Sequence, residues 1–127
     1  MIHLQTITMN WYLVKIIYQI ICGEGKHTPQ FDEQVRLIAT SSPEQAIEKG
    51  RCIGLQEEDV FYNKKQQLVQ WKFVNITEVY ALTEVMDGAE VYSQTKEIDD
   101  AEGYRSFVHH KAGVLQKSFS SPTLQTF

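Results

Sequence analysis

The longest uninterrupted run of strand-forming residues is Leu68 to Leu82, LVQWKFVNITEVYAL, with no Gly or Pro. β-branched and aromatic side chains suit a pleated surface, so the run predicts a long central strand on which other elements pair. Its first half places Val69, Trp71 and Phe73 in one phase. Val74 and Ile76 take the other phase, which Tyr80 and Leu82 keep while Val79 and Ala81 oppose it. A bulge or bend between Phe73 and Thr77, or burial on both faces, reconciles the two. Upstream, Tyr12, Val14, Ile16, Tyr18, Ile20 and Cys22 are all apolar, while the alternate positions include Lys15 and Gln19. Leu13, Ile16, Ile17, Ile20 and Ile21 also fit helical spacing, but so many β-branched neighbours would crowd a helix, and the period of two predicts a strand from Trp11 to Cys22. Gly23 to Pro29 predicts a turn. Phe31, Glu33, Val35, Leu37 and Ala39 then alternate with Asp32, Gln34, Arg36 and Thr40, the second strand of an antiparallel hairpin.

Ser42-Pro43-Glu44-Gln45 predicts a helix start, with Ser42 as cap, Pro43 at the first helical position and Gln45 reaching back to complete a capping box. Ala46, Ile47, Gly50 and Ile53 give that helix a narrow apolar face with small residues for close approach, and Gly54 predicts its end. Val60 to Tyr62 is a short strand, and Asn63-Lys64-Lys65-Gln66 a polar hairpin loop into the long strand. Met86-Asp87-Gly88-Ala89 is a turn pattern, after which Glu90 to Lys96 predicts a last strand. Asp99 can cap a final helix from Asp100 to about Lys111, on which Ala101, Tyr104, Phe107 and Val108 share a face. The fold class expected is α+β, an antiparallel sheet in the order β-β-α-β-β-β-α with one helix packed on the sheet. The chain divides into a variable lead-in (1–10), an α+β core domain (11–96), a C-terminal helical extension (97–117) and a mobile tail (118–127).

A length of 127 residues fits one core, and 43% apolar with 22% charged residues is ordinary for a soluble domain. The net charge of −4 argues against a nucleic-acid partner, whose phosphates call for a dense basic face. Cys22 and Cys52 form neither a disulfide framework nor a CxxC motif, and read as reduced, partly buried thiols in a cytoplasmic protein. The start lacks a basic signal-peptide region, and Trp11 to Cys22, broken by Lys15 and Gln19, is short of the ~20 residues a membrane helix needs. No membrane partner is expected.

Three stretches resemble the DUF4288 domains, small bacterial proteins of unknown function. They are Trp11-Tyr12-Leu13-Val14-Lys15, then Ser41-Ser42-Pro43-Glu44-Gln45-Ala46-Ile47-Glu48-Lys49, and finally Trp71-Lys72-Phe73-Val74 with Val79-Tyr80 and Gly88-Ala89-Glu90-Val91-Tyr92-Ser93. The resemblance covers Trp11 to about Lys96 and implies the same strand and helix order. It implies no activity and no catalytic residues.

The residues themselves carry little chemistry. His3 and His27 are isolated in predicted loops, and His109 and His110, as helical neighbours, point about 100° apart and do not face one ion. Glu57-Glu58-Asp59 and Asp99, Asp100 and Glu102 form acidic clusters of the kind that sit in solvent or at helix starts. Gly23-Glu24-Gly25-Lys26 lacks the length of a phosphate loop, and no nucleophile elbow is present. Asn75-Ile76-Thr77 spells a glycosylation sequon inside a predicted strand. No catalytic residue, metal ligand or cofactor is assigned. The aromatics Trp11, Tyr12, Trp71, Phe73, Tyr80 and Tyr92 suit a core first, then an interface or a pocket. Apolar strand surface exceeds what one helix covers, which predicts a non-catalytic interaction module, a homo-oligomer joined through a sheet face or edge, or bound to a second protein. The alternative is a small ligand-binding protein or enzyme with a cleft lined by aromatic residues. Trp11, Trp71, Tyr80, Tyr92 and Tyr104 are the candidate interface or pocket residues, with Glu78 or His109 as the polar group.

Overall fold

The alternation in β1 (Asn10–Cys22) sends Tyr12, Val14, Ile16 and Tyr18 to one side, where all four are almost wholly buried. The computed structural model describes residues 9–120. After a turn in which Gly23 and Gly25 both take positive φ, β2 (Gln30–Thr40) returns antiparallel to β1. Its register is unbroken, from Asn10 opposite Thr40 to Ile20 opposite Gln30.

Helix α1 (Pro43–Gln56) starts as the sequence predicts, with the Gln45 N–H donating to Ser42 Oγ at 3.2 Å. The reciprocal half of the capping box is not made. Gln45 Oε1 instead accepts from the hydroxyls of Thr40 and Ser41, which ties the helix start to the end of β2. Gly54 does not end the helix; it lies buried inside it. A Cβ there would fall 2.5 Å from the Phe73 ring, and one at Gly50 would fall 2.7 Å from Val14. Both positions therefore need a hydrogen where other residues carry a side chain, because the helix lies this close to the strands. Ala46, Val14, Tyr12 and Ile38 form the centre of that contact, with Ile53, Ile76 and Val79 around it. The Tyr18 hydroxyl, buried below, donates to the Gly54 carbonyl at 2.8 Å, so the one polar atom of that side chain is paired.

β3 (Asp59–Tyr62) and β4 (Leu68–Leu82) form a hairpin, and the turn places Gln66 at φ 61°. β4 also runs antiparallel to the whole of β1, giving one sheet in the order β2-β1-β4-β3. The change of phase expected near Phe73 to Thr77 is resolved by two bulges, at Val74 and Thr77, which have no partner on β1. Val69, Trp71, Phe73, Ile76, Val79 and Ala81 thereby all face the α1 side.

The strand expected at Glu90 to Lys96 does not form, and the order is β-β-α-β-β-α. The turn itself is present, with Gly88 at φ 84° and the Ala89 N–H on the Met86 carbonyl. Beyond it, Tyr92 meets Tyr80 edge to face, ring centres 5.7 Å apart. The segment thus meets β4 through a side-chain contact, and it forms no strand.

The described residues through Ser93 form one compact unit and those from Gln94 a second. In the second unit, α2 (Ala101–Ser120) continues past the expected end near Lys111. Its cap is Asp100 and not Asp99: Asp100 Oδ1 accepts from the Gly103 N–H at 2.9 Å. Residues 118–120, expected in a mobile tail, belong to this helix, and its side chains from Ala101 to Phe119 are exposed. Residues 1–8 and 121–127 lie outside the described residues, and with them His3, most of the lead-in and the rest of the tail.

Candidate functional site

Directly opposed residues of an antiparallel pair share a face, so the side of the sheet away from α1 can be read from the register. Lys15 lies opposite Val35 on β2 and Glu78 on β4. Its ammonium sits 3.2 Å from Glu33 Oε1 and 3.7 Å from Glu78 Oε2. That Glu78 oxygen is buried and accepts no hydrogen bond among the described residues. Tyr80, two residues along β4, carries the edge-to-face contact with Tyr92. A lysine, two carboxylates and two tyrosines thus meet on one face.

The electrostatics act on Lys15 and Tyr80 in the same direction. The hydrogen bond to Glu33, with the charge of Glu78, raises the Lys15 pKa above 10.5. Desolvation, then the Glu78 charge, raises that of Tyr80 above 10.0. Both shifts favour the protonated forms, a charged ammonium at Lys15 and a neutral phenol at Tyr80. The Lys15 ammonium already occupies the position facing both carboxylates, so the surface left for a ligand is that of the tyrosines.

Beside the tyrosines is an open cleft of about 360 Å³, lined by Tyr80, Leu82, Thr83, Met86, Val91 and Tyr92 among others. The structure therefore brings together Tyr80, Tyr92 and Glu78 of the residues singled out in the sequence. Trp11, opposite Leu82 and Ala39, shares their face at its end and is 44% exposed. Trp71 does not share it: it faces the α1 side, its ring centre 6.1 Å from that of buried Tyr18. Tyr104 and His109 belong to α2 in the second unit, where Tyr104 meets Phe107. Lys15 and Glu33 were missed, because only the pairing of three strands shows that they converge with Glu78.

The remaining candidates are occupied by structural work. His27 Nε2 accepts from the Cys22 N–H at 3.0 Å, which leaves the proton on Nδ1, donated to the Thr28 carbonyl at 2.8 Å. With both nitrogens engaged, the ring pins the β1–β2 turn and has no lone pair for a metal. Glu57 pairs with Arg36, Glu58 accepts from the Phe73 N–H, and Asp59 accepts from the Val60 N–H. Cys22 is half-buried and Cys52, expected to be partly buried, is exposed; both are free thiols. Among the described residues no group of three His, Cys, Asp or Glu could hold a metal ion. No described helix is long and apolar enough to cross a membrane.

The edges of the sheet differ. Outward of β4 beyond Trp71, the two bulges break the spacing and the Glu58 carboxylate occupies the Phe73 N–H. β2, the other edge, is long, lacks a bulge or proline, and has no outer partner among the described residues. On its face away from α1, Phe31, Val35 and Leu37 are 57%, 50% and 52% exposed.

Comparison with known sequences adds one finding. The profile of the family described as "Domain of unknown function (DUF4288)" matches residues 11–93, which takes in both hairpins, α1 and the Tyr80–Tyr92 contact. No curated protein and no solved structure matches the chain.

Proposed function

The chain belongs to the DUF4288 family, a domain of unknown function, and from that premise we propose that it is a non-catalytic interaction module that self-associates through its β-sheet. The observation that carries this reading is the regular edge strand β2, with Phe31, Val35 and Leu37 half or more exposed along it. An unpaired strand edge is a template for another strand, and apolar side chains beside it add area to whatever pairs there. Free, unpaired Cys22 and Cys52 suit a reducing, cytoplasmic setting. Light scattering over a wide concentration range tests the proposal: a mass rising toward twice the chain's 14.7 kDa supports it, and a monomer throughout overturns it.

A second reading is favoured by one specific observation, the open cleft of about 360 Å³ beside the Tyr80–Tyr92 pair. A cleft lined by two aromatic rings, with the carboxylate residues Glu84 and Glu90 also among its lining, suits a small cationic ligand. Thermal-shift measurements with a panel of organic cations test it. A shift seen with the wild type and lost in Tyr92→Ala supports this reading; no shift with any of them removes it.

A further inference from the structure

Resting on the self-association reading, we infer that the occupant of the β2 edge is β2 of a second copy, antiparallel, in the register that places Gln34 opposite its own symmetry mate. A two-fold axis perpendicular to the sheet makes edge strands antiparallel and keeps each residue on its own face. Only registers centred on a residue are then allowed, and the charges of β2 choose among them. Centring on Asp32, Glu33 or Arg36 sets a charge directly against itself, which is destabilising. Centring on Val35 sets Asp32 against Ile38 and Glu33 against Leu37. Centring on Leu37 shortens the overlap and leaves Phe31 unpaired.

Centring on Gln34 pairs Asp32 with Arg36 of the second copy twice on the α1 side, and Phe31 with Leu37 twice on the open side. Gln30 through Ile38 all take part. Glu33 then lies opposite Val35 of the second copy and keeps its own partner, Lys15, at 3.2 Å. The Arg36 guanidinium already bonds Gln34 Oε1 through Nε and Nη2 and pairs with Glu57 through Nη2. The Asp32 carboxylate is held by Gln34 Nε2 at 2.7 Å. Both charged groups are thus positioned on the strand before a partner arrives, which lowers the ordering cost of association. β4, the alternative edge, has no such run: its bulges at Val74 and Thr77 spoil the ladder a second strand would need.

Cysteine cross-linking under mild oxidation tests the register, in the full chain with Cys22→Ser and Cys52→Ser. Gln34→Cys should give a covalent dimer. Val35→Cys should not, because in this register its two copies are offset by two residues. Their Cα atoms stand about 8 Å apart by strand rise and spacing, beyond the roughly 7 Å reach of a disulfide. Cross-linking at Val35 and not at Gln34 overturns the register. A dimer by light scattering that cross-links at neither position overturns β2 as the contact. A monomer by light scattering overturns the underlying reading instead. Independently, Asp32→Arg should weaken the dimer roughly tenfold by setting two like-charged pairs face to face. An unchanged dimer affinity in that variant also counts against the register.

Discussion

On the α1 side of the sheet, Val14, Ile16, Tyr18 and Ile38 are almost wholly buried, and two helical glycines let the backbone come close enough to seal them. On the other side of the same strands, Phe31, Val35 and Leu37 are left half exposed, and a charged lysine with two carboxylates sits among them. The strands alternate with the same period on both sides, so the difference lies in what was provided to cover each. One face is specified by packing against a helix of the same unit. The other carries exposed apolar area that no element of the same unit covers among the described residues, and it is the face on which the proposed self-association rests.

The largest effect that separates the two faces is a cavity. Ile16→Ala should cost about 2–5 kcal/mol of stability, read as a lowered urea midpoint at unchanged slope. Gly54→Ala should follow, costing about 1–3 kcal/mol, because the added methyl meets the Phe73 ring. Were Gly54 only a helix stop, the same substitution would be neutral or stabilising by the helix propensity of alanine. Tyr18→Phe should cost about 1 kcal/mol by leaving the buried Gly54 carbonyl without its donor. Val35→Ser on the open face should change monomer stability by no more than about 0.5 kcal/mol while weakening association. A large loss of monomer stability at Val35 would erase the distinction between the faces.

The alkaline limb of stability touches both faces. Burial raises the pKa of Tyr18 and of Tyr80 above 10.0, and Glu33 raises that of Lys15 above 10.5. Above about pH 10 the unfolded chain has released protons that the native state still holds. Stability is therefore full below that pH and falls as pH rises through the native values. Urea titrations at increasing pH should show the decline, and Tyr18→Phe with Tyr80→Phe should flatten it.

Much of the covered face was legible in the sequence. Period-two alternation located β1 and β2, Ser42-Pro43 located the start of α1, and the conflict of phases in β4 announced its bulges. The limits were physical. Gly54 resembles a helix stop in any local reading, and only the contact with Phe73, far along the chain, shows it to be a close approach. The turn at Met86 to Ala89 was real, but a turn does not say whether the returning chain runs along a sheet edge or over its face. Glu78, Tyr80 and Tyr92 could be named from residue type. Lys15 and Glu33 could not, since the register of β1 with β2 and β4 is set by three-dimensional pairing.

Amide hydrogen exchange along β2, at low and at high protein concentration, tests the self-association of the sheet edge most directly. Pairing with a second copy predicts that outward-facing amides between Phe31 and Leu37 exchange more slowly as concentration rises, while those of exposed β3 do not change. Exchange along β2 that is the same at every concentration would contradict it.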